Sequence, residues 1–208
     1  MARDTSFNPW LSIWTSPRAT IQRLVAEHGN RGFWLLAIIY GFSGLLNFFQ
    51  SISLGGRLGI GAIFLLALLL SVIWGYVSFS VWSFAVWLTG KLFKGAADFK
   101  VLRFAYAWSC TPFIVNAILW LVMAFIFGGL LFMNFHEDYP FTQGQVILMF
   151  LILILRIGVG IWSLVIYLNA LCVVQNYSIF RAIGNVILGA IFIAIVFYLL
   201  GFLFFMHM

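Results

Sequence analysis

The spacing of charges is what most constrains this chain. Gly32–Gly56, Leu58–Gly90, Phe104–Phe135, Ile157–Phe180 and Ala182–Met206 are uncharged runs of 25, 33, 32, 24 and 25 residues. Tyr139–Leu155 adds 17 more ahead of a single Arg156. A hydrocarbon core about 30 Å thick needs roughly 20 helical residues, so each long run can cross once. The runs of 33 and 32 are too short for two crossings and a turn, and tilted helices projecting from the bilayer accommodate them. With Arg156 inside one helix, five spans are expected, near residues 32–52, 60–89, 103–133, 145–174 and 182–205.

The pattern selects helices over barrel strands. Ile63–Leu70 is apolar on every side, whereas a barrel strand alternates with period two. A helix satisfies its own backbone in lipid. The expected fold is all-α: a polytopic membrane bundle of five transmembrane helices over residues 31–208, preceded by N-terminal interfacial amphipathic helices within residues 1–30. With 64% hydrophobic and 8% charged residues the chain is no ordinary soluble globule, in which about 25% are charged. Two cysteines, Cys110 and Cys172, exclude a disulfide scaffold and a multi-cysteine zinc site, and read as buried free thiols.

Lysine and arginine set the expected orientation. With the N-terminus inside, the cytoplasmic segments hold Arg3, Arg18, Arg23, Arg31, Lys91, Lys94, Lys100, Arg103 and Arg181, and the opposite side holds Arg57. That bias puts the N-terminus in the cytoplasm and the C-terminus outside. The net charge of +6 is scattered, which fits orientation in a membrane and not nucleic-acid binding. Trp34, Trp87 and Trp108 are expected at the inner interface.

The first thirty residues carry prolines and charges without a compact apolar stretch, and do not read as a cleavable signal. Asn8-Pro9 and Ser16-Pro17 each place a capping side chain before a proline at the first helical position. Trp10, Ile13 and Trp14 face one way in the first helix. Ile21, Leu24, Val25 and His28 do so in the second, with Gly29 as a stop. Two placements stay open for this pair: on the cytoplasmic leaflet, or docked on the bundle.

Several of these segments resemble one family. Asn8-Pro9-Trp10 followed by Ser16-Pro17-Arg18 is similar to the proline-spaced N-terminal segment of bacterial Yip-domain (Ypt-interacting) proteins. Gly90-Lys91-Leu92-Phe93-Lys94-Gly95-Ala96-Ala97-Asp98-Phe99 resembles that family's loop after the second span. Tyr106-Ala107-Trp108-Ser109-Cys110-Thr111-Pro112 resembles the opening of its third. Trp162 and Leu164, and Tyr177-Ser178-Ile179-Phe180-Arg181-Ala182, are similar to later segments. The resemblance implies an integral membrane protein without known catalysis. Eukaryotic members bind Rab-type GTPases and related partners, but the short N-terminal segment here points to a bacterial inner-membrane member, to which Rab binding does not carry over.

Arg156 lies about eleven residues into the fourth span, where an arginine costs at least about 2.5–3.5 kcal/mol, so it calls for a partner or water. Asn116 is expected at similar depth, and carbonyls freed near Pro112 offer further acceptors. Thr111 and Ser109 can re-satisfy the backbone beside that proline. Arg156, Asn116, Pro112 and Thr111 thus form a candidate intramembrane polar site, to be weighed against a structural arginine and an ordinary kink. Ala67, Ser71 and Gly75, and the pair Ala190 and Ala194, are small residues four apart, suited to close helix packing or a homo-oligomer face. His136, Glu137, Asp138 and His207 are ligand types without a convergent set, so neither metal nor cofactor is expected. No phosphate loop or nucleophile elbow occurs, and no enzyme is expected.

Two functions stay open. One is a membrane scaffold whose basic residues Lys91, Lys94, Lys100, Arg103, Arg18 and Arg23 meet lipid headgroups or protein partners. The other is a small transporter or channel with Arg156 and Asn116 on a polar path.

Overall fold

The computed structural model describes residues 7–27, 31–134 and 141–206. The described residues contain α-helices and short 3-10 segments and no strand. The helices are α1 (Pro9–Thr15), α2 (Pro17–Ala26), α3 (Phe33–Ser51), α4 (Ile60–Gly90), α5 (Phe99–Ser109), α6 (Phe113–Phe127), α7 (Gln143–Val174) and α8 (Ile179–Met206). Five segments are long and apolar enough to cross a membrane: Phe33–Ser51, Ile60–Phe93, Phe113–Phe132, Gln143–Val174 and Ile179–Leu203. The chain is thus a helical, multi-pass membrane protein, as the uncharged runs require.

The third run differs from the expected single helix over 103–133. It is α5, a turn at Cys110–Pro112, and then α6. Proline lacks the N–H that a continuous helix would use, and it disfavours helical geometry at the residue before it. The turn is closed by 3-10-type bonds: the amides of Phe113, Ile114 and Val115 donate to the carbonyls of Cys110, Thr111 and Pro112 at 3.0, 3.1 and 3.0 Å. The part of this run long and apolar enough to cross a membrane is Phe113–Phe132.

Contacts divide the chain into two units. One comprises residues 31–77 and 110–165. Its core gathers Leu45, Leu46 and Phe49 of α3, Ile63 and Ala67 of α4, Trp120, Met123 and Phe127 of α6, and Ile152 of α7. Here α3 and α4 touch backbone to backbone. A Cβ on Gly41 would meet the Ser71 carbonyl oxygen, and one on Gly75 would meet that of Ala37. Ala67, Ser71 and Gly75 are all buried. The small-residue stripe is used for packing within this chain, the close approach such residues permit in lipid.

The other unit comprises residues 1–30, 78–109 and 166–208. Its core includes Val86, Leu102, Tyr167, Leu171 and Ala182, with Trp82, Trp87 and Tyr106 packed against them. The N-terminal pair α1 and α2 packs within this unit. Ile13 of α1 and Ile21 and Leu24 of α2 are fully buried, and Trp10 lies 4.9 Å from Trp108 between ring centroids. The pair is docked through these side chains, while Leu11 of α1 stays exposed. Trp108 is wholly buried within the protein. Asn8 caps α1, its side chain accepting from the Trp10 amide at 3.1 Å. Ser16 makes no side-chain cap; its carbonyl accepts from the Thr20 amide at 3.0 Å. His28, Gly29, His136, Glu137, Asp138 and His207 lie outside the described residues.

Candidate functional site

Two places concentrate the chemistry. The first is the segment joining α4 to α5, which carries Lys91, Lys94 and Lys100 on exposed positions and Arg103 one turn into α5. It is built rigidly. The Ala97 amide donates to Gln175 Oε1 at 3.1 Å, and the Tyr177 hydroxyl donates to the Gly90 carbonyl at 2.6 Å. A Cβ on Gly95 would meet Gln175 Oε1 and the Tyr177 hydroxyl, so glycine is needed where the chain turns over these groups. Thr89 Oγ1 lies 2.7 Å from Asn185 Oδ1 and 2.9 Å from the Ala85 carbonyl. Gln175, Tyr177, Asn185 and Thr89 are all buried. Burial holds the Tyr177 phenol above the usual tyrosine range, partly offset by the positive charge of Arg181.

Four of the basic side chains have a defined seat. Lys91 Nζ sits 3.7 Å from the Trp87 ring centroid. The Arg103 guanidinium lies 5.4 Å from the Phe99 centroid, and its Nη1 donates to Ser80 Oγ at 3.3 Å. Arg18 Nε donates to Asn169 Oδ1 at 2.8 Å, and Arg23 lies 4.9 Å from the Phe7 centroid. Arg18, Arg23, Lys91, Lys94, Lys100, Arg103 and Arg181 all belong to the same unit, whose described acids are Glu27 and Asp98. The unit is cationic because the fold brings these residues together from three separated stretches of sequence.

The second place is Arg156. Its guanidinium carbon lies 4.3 Å from the Trp120 ring centroid, and Trp120 in turn stacks on Phe132 at 5.7 Å and 14°. Nε and Nη2 of Arg156, Oδ1 of Asn116 and Nε1 of Trp120 are buried without a hydrogen-bond partner. The expected Arg156–Asn116 bond is therefore not made through these atoms; the arginine meets the ring face of Trp120, one turn along α6 from Asn116. The carbonyls of Thr111 and Pro112 accept from backbone amides of α6. Thr111 and Pro112 are buried at the turn. Ala190 and Ala194 are exposed on α8.

Sequence reasoning missed the pins of the α4–α5 segment. Gln175-Asn176-Tyr177 reads as a polar break between two apolar runs, and Asn185 as an isolated polar residue near the start of the last span. A tyrosine and a glutamine between long spans, opposite a glycine-bounded loop, was the available signal.

These features define a multi-pass helical membrane protein whose exposed helix faces are apolar and suited to contact with lipid. The family model for the Yip1 domain matches residues 11–205. The chain belongs to the Yip1 family, which is not known as enzymatic. No curated protein and no solved structure matches it.

Proposed function

We propose that this chain is an integral membrane scaffold of the Yip type, non-catalytic, set in a bacterial inner membrane with its N-terminus in the cytoplasm and C-terminus outside. Its basic surface meets anionic lipid headgroups or acidic partner proteins. The observation that carries this is the pinned α4–α5 segment, where buried Gln175 and Tyr177 hold a loop bearing Lys91 and Lys94, with Lys100 and Arg103 just beyond. Each cation near an anionic surface contributes about 1 kcal/mol. Replacing Lys91, Lys94, Lys100 and Arg103 together with glutamine should abolish the preference of the reconstituted protein for spin-labelled phosphatidylglycerol over phosphatidylcholine. Unchanged preference would sink the lipid reading and send the search to protein partners.

A second reading, a small transporter or channel, is favoured by one observation: the buried, unpartnered polar atoms of Arg156 and Asn116. Its test is thiol labelling. In a variant lacking Cys110 and Cys172, a single cysteine at Asn116 should react with a charged reagent in intact membranes if a water path reaches that depth. A silent Asn116 site beside reactive loop controls would remove this reading.

A further inference from the structure

One groove stands out in the unit that carries the basic surface. It encloses about 570 Å³ and is lined by Ser80, Val81 and Phe84 of α4, Phe99 of α5, and one face of α8 from Phe192 to Leu200. That volume lies within the roughly 300–1,000 Å³ of small-molecule sites. Along α8 the groove runs for about 12 Å. Its exposed lining is apolar, which suits a hydrocarbon chain better than a polar solute.

The groove is tied to charge at a defined point. Arg103 contacts two of its lining residues, donating to Ser80 Oγ and lying against the Phe99 ring. The wall is an aromatic row: Phe99 lies 6.5 Å from Phe84, and Phe84 lies 5.9 Å from Trp87. Lys91 Nζ sits on Trp87 at the far end of that row. Arg103 thus borders the apolar slot directly, and Lys91 lies at the other end of the aromatic row. A guanidinium presents five donors in a fork that matches phosphate oxygens.

We propose that this groove is a binding site for an anionic phospholipid, one acyl chain lying along α8 and the phosphate held by Arg103. The site rests on the reading of the basic surface as a headgroup contact and gives that contact an address.

The test is native mass spectrometry of the full chain, delipidated in detergent and titrated with phosphatidylglycerol, phosphatidylcholine or glycerol phosphate. Wild type should retain phosphatidylglycerol about fivefold better than phosphatidylcholine and bind no glycerol phosphate. Val196→Trp, and independently Val81→Trp, should fill the slot and lose the retained lipid, with helicity unchanged by circular dichroism. Arg103→Gln should keep the lipid and lose the headgroup preference. Retention unaffected by either tryptophan would overturn the groove. So would a dimer abolished by Val196→Trp with no lipid retained, which would assign the slot to a second copy. If Lys91, Lys94 and Lys100 changed together to glutamine remove the preference while the groove variants do not, the surface reading stands and the groove fails. If neither those changes nor Arg103→Gln alter the preference, the surface reading itself fails.

Discussion

At the residue scale, Arg156 poses the sharpest balance of energies. A guanidinium on a ring face gains about 0.5–2 kcal/mol, and a charge placed deep in a span costs about 2.5–3.5 kcal/mol or more. The contact with Trp120 therefore does not cover the cost, and two nitrogens of the same side chain lack partners. Arg156→Leu is expected to leave thermal stability in detergent unchanged or raise it. A loss above about 2 kcal/mol would show instead that the arginine is a structural tie. Tyr177 is the opposite case, a neutral donor fully used. Tyr177→Phe leaves the buried Gly90 carbonyl with the Gly95 amide as donor but without the hydroxyl, and should cost about 0.5–1.5 kcal/mol. The folded state holds the phenol proton more tightly than the unfolded chain does. The stabilisation is then complete below the ordinary tyrosine pKa of about 10 and lost as pH rises through the raised value. Unfolding midpoints of wild type and Tyr177→Phe should converge in strong alkali and stay apart at neutral pH; a gap constant across that range would contradict the assignment.

Among the elements, the contact of α3 with α4 has the least tolerance. Gly41 faces the Ser71 carbonyl and Gly75 the Ala37 carbonyl, so neither site admits a methyl group without backbone movement. Gly41→Ala and Gly75→Ala should each destabilise by about 1–3 kcal/mol. Gly61→Ala, on the same helix with open space at its Cβ, should be near neutral by the same thermal measurement. Equal effects at Gly61 and Gly75 would mean the cost is not steric. This is also where sequence was informative in one direction only. Ala67, Ser71 and Gly75 announced a close-packed face, but the identity of its partner depends on Ala37 and Gly41, whose spacing is equally plain and whose pairing is not. The turn at Pro112 was legible as an interruption, yet the run of uncharged residues through it masked that α5 and α6 are separate helices. Gln175 and Asn185 were illegible because their partners lie about eighty to a hundred positions earlier in the chain, a pairing no local pattern records.

For the whole molecule, span number and helical class followed from charge spacing alone, because a bilayer admits few solutions. The gathering of basic residues is a product of folding: Arg18 reaches Asn169, and Lys91 and Arg103 border one aromatic row. Orientation is checked at this scale. In the background lacking Cys110 and Cys172, cysteines replacing Lys94 and Arg57 should react with an impermeant reagent from opposite faces, Arg57 from outside intact cells. Labelling of Lys94 from outside would invert the arrangement and detach the lysines from any cytoplasmic role.

The five spans differ in how much they depend on one another, and this bears on how the protein is made. The first, α3, is the least apolar and the most buried by its neighbours, whereas α8 is the most apolar and the most exposed. Partitioning into lipid alone suffices for α8, while α3 gains much of its stability from the glycine contact with α4. The expected consequence is a biogenesis in which the first span synthesised is retained in the membrane only once the second has joined it. Nascent chains truncated after α3 should slip back to the aqueous side in a glycosylation-tag insertion assay, and chains truncated after α4 should hold both.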